Sequence, residues 1–138
     1  MMMRNVTAVK RIVFCLFCMF LPLLTTACQG NSDRTLDDLI LFLSDEFDVS
    51  NETSDFLYVA VLAIDGRRVT LGETDVELFK YDSAQSMESG REMMARIAGT
   101  VGMEFALHDN GMFLLSINSS VVQDMAEADR IARLFLRF

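Results

Sequence analysis

The fold is decided by the stretch GMEFALHDNGMFLLSIN, residues 102–118. Two apolar segments, 102–108 and 112–118, flank the tripeptide Asp109-Asn110-Gly111. Asn-Gly between apolar runs of strand length is the strongest short-range signal for an antiparallel hairpin, because both residue types tolerate the backbone angles of a tight turn. We therefore expect two neighbouring antiparallel strands here.

Three other segments have helical periodicity. The first, over 36–47, opens with the capping box Thr35-Leu36-Asp37-Asp38, which satisfies backbone N–H groups at a helix start. The second follows the capping pattern Asp82-Ser83-Ala84-Gln85, with Gln85 three places after Asp82, and is expected to stop at Gly99; one face is formed by Met87, Gly90, Met94, Ile97 and Val101. The third is expected to start after the capping box Ser120-Val121-Val122-Gln123 and to run to residue 138.

The region between the first two helices predicts two more strands. The nearly continuous apolar run 56–64 is too short for most helices and indicates a buried strand ending at Asp65-Gly66. Residues 67–74 then return the chain, and the alternating segment 75–81 indicates the next strand. The polar segment 48–55 is expected to be a loop.

These elements follow one another in the order α-β-β-α-β-β-α. The expectation is a two-layer α+β fold, a four-stranded antiparallel sheet with the helices packed on one face. About 105 residues, 34–138, suffice for one domain with a core but not for two.

The N-terminus has the pattern of a secretory signal. Arg4, Lys10 and Arg11 precede sixteen uncharged residues, 12–27, and a spanning helix needs about 20. Pro22 lies near the end of this run, where it would interrupt a helix. The alternative is an uncleaved N-terminal anchor helix.

The end of this segment resembles the lipobox of bacterial lipoproteins. The residues concerned are Leu24-Thr25-Thr26-Ala27-Cys28, with Thr25 where that family most often has leucine. The resemblance implies a signal peptide over 1–27, cleavage between Ala27 and Cys28, and lipid on Cys28. Residues 28–33 would then be the lipidated cysteine and a short tether. In a cell with two membranes, Gln29 would favour the outer one; the domain would face the periplasm or the exterior.

A second resemblance covers the middle of the chain. Ile64-Asp65-Gly66 and the later segment 75–84, Asp-Val-Glu-Leu-Phe-Lys-Tyr-Asp-Ser-Ala, are similar to small bacterial lipoproteins of uncharacterised function. In that family a strand of this type leads into a Ser-Ala-rich helix, and a glycine hairpin and a closing helix follow. The resemblance implies this order of elements and no reaction, so it assigns no catalytic residue.

Charge restricts the partners. The chain has a net charge of −8, and without Arg4, Lys10 and Arg11 it keeps nine basic and twenty acidic residues, a net charge of −11. An acidic domain is repelled by nucleic acid and by anionic phospholipid. We therefore expect no nucleic-acid partner, and membrane attachment through lipid on Cys28.

A search for chemistry finds no convincing site. His108 is the only histidine, beside a predicted turn, and no Gly-x-Ser-x-Gly nucleophile motif occurs. The acidic residues of segment 37–55 fit either a calcium site or a solvated surface, and their spacing matches no calcium loop. Cys15 and Cys18 would be removed with the signal. No catalytic residue, metal or cofactor is expected.

The function expected from these features is that of a membrane-anchored envelope lipoprotein that binds another envelope protein and is not an enzyme. Its alternative is a lipoprotein that binds a small molecule or a lipid in an apolar cleft between sheet and helices. An enzyme ranks third. A basic cluster near the end, Arg130, Arg133 and Arg137, either complements a helix dipole or docks to an acidic partner or to headgroups.

Overall fold

The computed structural model describes residues 33–138, which form an α+β fold on a five-stranded antiparallel sheet. The strands lie in the order β1-β2-β3-β5-β4. Along the chain the elements are α1 (Leu36–Ser44), β1 (Val49–Ser54), α2 (Leu57–Ala60), β2 (Asp65–Leu71), β3 (Thr74–Lys80), α3 (Ala84–Val101), β4 (Phe105–Asn110), β5 (Phe113–Asn118) and α4 (Met125–Phe135).

Both hairpins turn on a glycine. The predicted hairpin between the two apolar segments is confirmed, but its central residues are Gly111 and Met112 rather than Asn110 and Gly111, since Asn110 still pairs with Phe113 and Gly111 lies at φ +66°. The β2–β3 hairpin has the same form, with Gly72 at φ +63° as the first of two central residues. A positive φ at the first central residue alone fits a type II′ turn, whose twist matches that of the strands it joins.

The predicted helix start at Thr35 is confirmed, whereas α3 is capped by Ser83, one residue after the predicted Asp82. The Thr35 hydroxyl accepts a bond from the Asp38 N–H at 3.1 Å, and the Asp38 carboxylate accepts one from the Thr35 N–H at 2.8 Å. These bonds favour the charged carboxylate and lower the pKa of Asp38. Ser83 caps α3 by accepting a bond from the Ser86 N–H at 3.1 Å.

Four predicted helix boundaries were wrong, including the end of α4, which lies at Phe135 rather than residue 138. α1 ends at Ser44 rather than residue 47, although Phe47 remains in the core. α3 continues through Gly99 and ends against Gly102, whose φ of +68° gives the left-handed cap. α4 starts at Met125 because the Asp124 carboxylate, not Ser120, accepts bonds from two N–H groups of the first turn.

The first predicted strand, 56–64, was also wrong. The segment forms the single-turn helix α2 followed by turns, and the Asp55 carboxylate accepts a bond from the Leu57 N–H at 2.9 Å at its start. Val61 and Ala63 point into the core, but Phe56 and Val59 are exposed. The apolar run therefore neither alternates nor is buried on both faces, as a strand of this composition would be.

Two strands lie where a loop and a return were expected. β1 occupies most of the polar segment 48–55 and forms one edge of the sheet, where polar residues discourage further pairing. A bulge interrupts it between Ser50 and Thr53, and Asn51 lies there at φ +52°. β2 occupies most of the expected return, so the sheet has five strands instead of four.

Helices cover both faces of the sheet, so the expectation of helices on one face was wrong. The first face packs against α1 and α4 through a core that includes Leu39, Leu78, Leu115, Ile131 and Phe135. The second face packs against α2 and α3 through Val61, Ala63, Phe79, Tyr81, Met87, Met94 and Leu114. The inner strand β5, between β3 and β4, is buried on both sides, which explains its uninterrupted apolar run Phe113-Leu114-Leu115.

Candidate functional site

A cavity of about 260 Å³ opens on the second face of the sheet, where α2 and α3 do not cover it. It lies at the end of the sheet formed by the start of β3 and the end of β5. We call it the upper cavity, and its walls combine charged, polar and apolar side chains: Arg68, Asp75, Val76, Glu77, Met103, Phe105, Ser116, Asn118 and Val121.

An ion pair forms the floor of the upper cavity. Arg68 and Glu77 are directly opposite each other in the β2–β3 hairpin, and the guanidinium Nη2 lies 2.8 Å from the Glu77 Oε1. The second carboxylate oxygen of Glu77 accepts a bond from the Ser116 hydroxyl at 3.2 Å. Only 14% of the Glu77 side chain is exposed, against 56% for Arg68, so the carboxylate is fixed and the arginine faces solvent.

A third charge lies beneath this pair. The Asp55 side chain is 5% exposed, and its Oδ2 lies 3.6 Å from Arg68 Nη2. That oxygen has no hydrogen-bond partner among the described residues, whereas the other carboxylate oxygen caps α2. Arg68 therefore lies within ion-pair distance of two carboxylates, those of Glu77 and Asp55.

Burial determines how these groups titrate. Loss of solvent raises the pKa of Glu77, the bond from Arg68 only partly opposes this, and the nearby Asp55 charge raises it further. The bond to Glu77 raises the pKa of Arg68. A half-buried ion pair of this kind contributes little to stability, because desolvation offsets much of its Coulomb attraction.

The rim of the upper cavity is apolar and open. Val121 is 66% exposed and Met103 45%, and both project beside the half-buried Phe105. β4 is the outer strand on this side of the sheet, so its outer backbone groups have no partner strand within the described chain. An added segment of another chain can pair with such an edge.

The arrangement suits binding of a basic group next to an apolar one. Two carboxylates, Asp75 and Glu77, line the cavity beside one arginine, and Asp55 contacts that arginine from outside the lining, so the balance is acidic. Exposed apolar side chains at the rim would exclude water around a bound side chain.

The predicted cleavage and lipidation residues, Ala27 and Cys28, lie outside the described residues. The same holds for the signal segment and for Cys15 and Cys18. Within residues 33–138, no helix is both long and apolar enough to cross a membrane.

The other candidate residues from the sequence do not form a common site. His108 lies half-buried in β4 opposite Leu115, and its neighbour Asp109 pairs with Arg91 at 2.8 Å. Among the described residues no three potential metal ligands come together. In the acidic segment, Asp37 and Glu52 lie 3.8 and 3.7 Å from Arg67, so this part of it is partly neutralised.

The basic cluster is also partly engaged. The Arg130 guanidinium lies 5.1 Å from the ring centre of Phe47, and Arg137 approaches Glu46 at 3.9 Å. Arg133, in the last turn of α4, complements the helix dipole. Arg130 and Arg137 therefore have contacts within the domain, while all three arginines remain exposed.

The upper cavity was not among the sequence candidates. The sequence feature that could have indicated it is the two-residue turn at Gly72, because a hairpin with this turn places Arg68 opposite Glu77. In comparisons with protein-family models, curated proteins and solved structures, the chain has no significant match.

Proposed function

We propose that this chain is a membrane-anchored envelope lipoprotein whose domain is a non-enzymatic module for binding another envelope protein. The anchoring part rests on the lipobox resemblance at Ala27-Cys28 and on the short uncharged segment before it. The binding part rests on the upper cavity, with its half-buried ion pair and exposed apolar rim.

The partner surface we propose is a basic side chain flanked by apolar residues. The two carboxylates that line the cavity, with Asp55 close to its arginine, favour a cation, and the net charge of −11 on the chain without its first three basic residues would attract a basic partner from a distance. The unpaired edge of β4 would add backbone hydrogen bonds to an extended segment of that partner.

The alternative, binding of a small molecule or a lipid, has weaker support. Buried side chains fill both sheet–helix interfaces, where an apolar cleft would have to lie. The upper cavity, at about 260 Å³, is also smaller than the roughly 300–1,000 Å³ of most small-molecule sites.

Photocrosslinking in the producing cell tests the binding surface. A photoreactive residue at position 121, on the cavity rim, is compared with one at position 41 on α1. Val121 and Leu41 are similarly exposed, at 66% and 69%, but lie on different faces of the fold. A discrete adduct at position 121 that the Glu77→Arg change abolishes supports the proposal. Equal labelling at both positions, or none at position 121, contradicts it.

A further inference from the structure

The segment that was predicted as a strand leaves an unusual apolar surface. We call Phe56, Val59, Leu62 and Ile64 the apolar tip; their exposed fractions are 87%, 65%, 52% and 54%. No charged residue occurs between 56 and 64. Neighbouring large apolar side chains exposed in this way mark contact surfaces rather than ordinary scattered exposure.

The backbone holds one of these side chains in an unfavourable conformation. Leu62 lies at φ +63°, in the left-handed backbone region that bulky residues rarely adopt. This bend lets Val61 and Ala63 enter the core while Leu62 stays outside it. Such strain at an exposed leucine is typical of a site with a role in binding.

The apolar tip lies at the end of the sheet where the chain enters the domain. The Ile64 N–H donates to the Lys80 carbonyl at 2.8 Å, and the Lys80 ammonium donates to the Arg34 carbonyl. Lys80 therefore contacts both the tip and the first residues of the domain. The upper cavity lies at the other end of the sheet, near Asn118 and Val121.

The length of chain before Arg34 identifies what covers the tip. Five residues, 29–33, separate Cys28 from Arg34, and fully extended they span only about 15–18 Å. If Cys28 carries lipid, as proposed above, the entry end of the sheet is held against the bilayer. The apolar tip at that end then lies within reach of the same surface.

We propose that the apolar tip inserts into the interfacial region of the membrane that holds the lipid on Cys28. This inference rests on the proposed lipidation. The tip would supply a second membrane contact and would orient the domain with the upper cavity away from the lipid. Because the domain is acidic, insertion depends on apolar burial and is expected on zwitterionic lipid.

The absence of tryptophan from the chain makes this test direct. The Phe56→Trp variant of the full chain is produced in its host, and Val121→Trp is the matched control. Each is purified, its acyl mass is measured, and it is reconstituted into phosphatidylcholine vesicles with or without brominated acyl chains. At position 56 we expect blue-shifted emission that the brominated lipid quenches, and at position 121 neither effect.

The outcomes separate the two proposals. Protein without acyl mass would overturn the lipid anchor and this inference together. Acylated, vesicle-bound protein whose indole at position 56 stays in water and escapes quenching would overturn this inference alone. Blue-shifted emission without quenching by brominated lipid would also overturn it, because another protein surface would then cover the tip.

Discussion

Replacing Gly90 by alanine tests the packing of α3 on the second face of the sheet. Gly90 is buried in α3, and a Cβ there would lie 2.4 Å from the Tyr81 hydroxyl oxygen and 2.4 Å from the Val61 carbonyl oxygen. Contacts this short do not occur in folded proteins, so something must move. Tyr81 is fully buried, and a backbone carbonyl cannot rotate away as a side-chain end can.

The expected change in the free energy of unfolding is the difference between two opposing effects. Alanine is the better helix former by about 1 kcal/mol, which favours the variant. Overpacking a closed core costs about 1–3 kcal/mol, and the two blocked directions put this site at the upper end. We therefore expect Gly90→Ala to lower the free energy of unfolding by about 2 kcal/mol. For a domain of this size that corresponds to a fall in Tm of roughly 8–12 °C.

Gly99→Ala is the matched control in the same helix. A Cβ at Gly99 meets no atom within 4 Å, so only the helix-forming gain remains and stability rises by up to about 1 kcal/mol. Urea and thermal unfolding of both variants beside the wild type measure the two signs. A Gly90→Ala protein as stable as the wild type would refute the described packing, as would equal losses in both variants.

Three further changes have defined outcomes. Thr35→Ala removes the side-chain cap of α1; we expect a loss of about 1 kcal/mol in urea unfolding and a rise in the pKa of Asp38 by NMR titration, whereas Thr35→Ser should restore both. Burial raises the pKa of Glu77 above its ordinary 4.5, so the contribution of Glu77 to the stability of the wild type falls as pH rises through that range. The free energy of unfolding of Glu77→Gln, measured relative to the wild type, should therefore increase from pH 4 to pH 7. A difference that stays constant with pH would contradict this. Glu127 joins α4 to the β2–β3 turn by accepting bonds from the Glu73 N–H at 3.0 Å and the Thr74 hydroxyl at 2.7 Å. Glu127→Ala should therefore cost about 1–2 kcal/mol in thermal unfolding and Glu127→Gln less, and equal losses would argue against these bonds.

Sequence patterns whose hydrogen bonds form between residues close in the chain predicted the structure well. The hairpin at 109–112 and the Thr35 cap depend on backbone hydrogen bonds within a few residues, and both are confirmed; the turn and the cap of α3 each lie one residue later than predicted. Helical spacing correctly placed Met87, Gly90 and Met94 on the buried face of α3, but it wrongly included Val101, which is exposed.

Predictions that depend on packing between residues far apart in the sequence were wrong. The apolar run 56–64 was taken for a buried strand, but its bend at Leu62 depends on a φ that sequence pattern does not indicate. β1 contributes mainly backbone hydrogen bonds at an edge, so its side chains show no alternation. The helices on both faces were missed although Phe113-Leu114-Leu115, an apolar run without alternation, is typical of a strand covered on both sides.

The candidate site was missed for a related reason. The charges of Arg68 and Glu77 resemble solvated surface residues until the turn at Gly72 pairs their strands. Asp55 joins them only because β1 lies beside β2, a pairing that the polar segment 48–55 did not indicate.

The central claim is that this domain is held to a membrane by lipid on Cys28. The most direct test measures the intact mass and membrane partition of the protein purified from its own host, beside a Cys28→Ala variant. We expect the native protein to begin at Cys28, to carry acyl mass and to partition with membrane, and the variant to do none of these. A native protein that still begins at or near Met1 without acyl mass would contradict the claim.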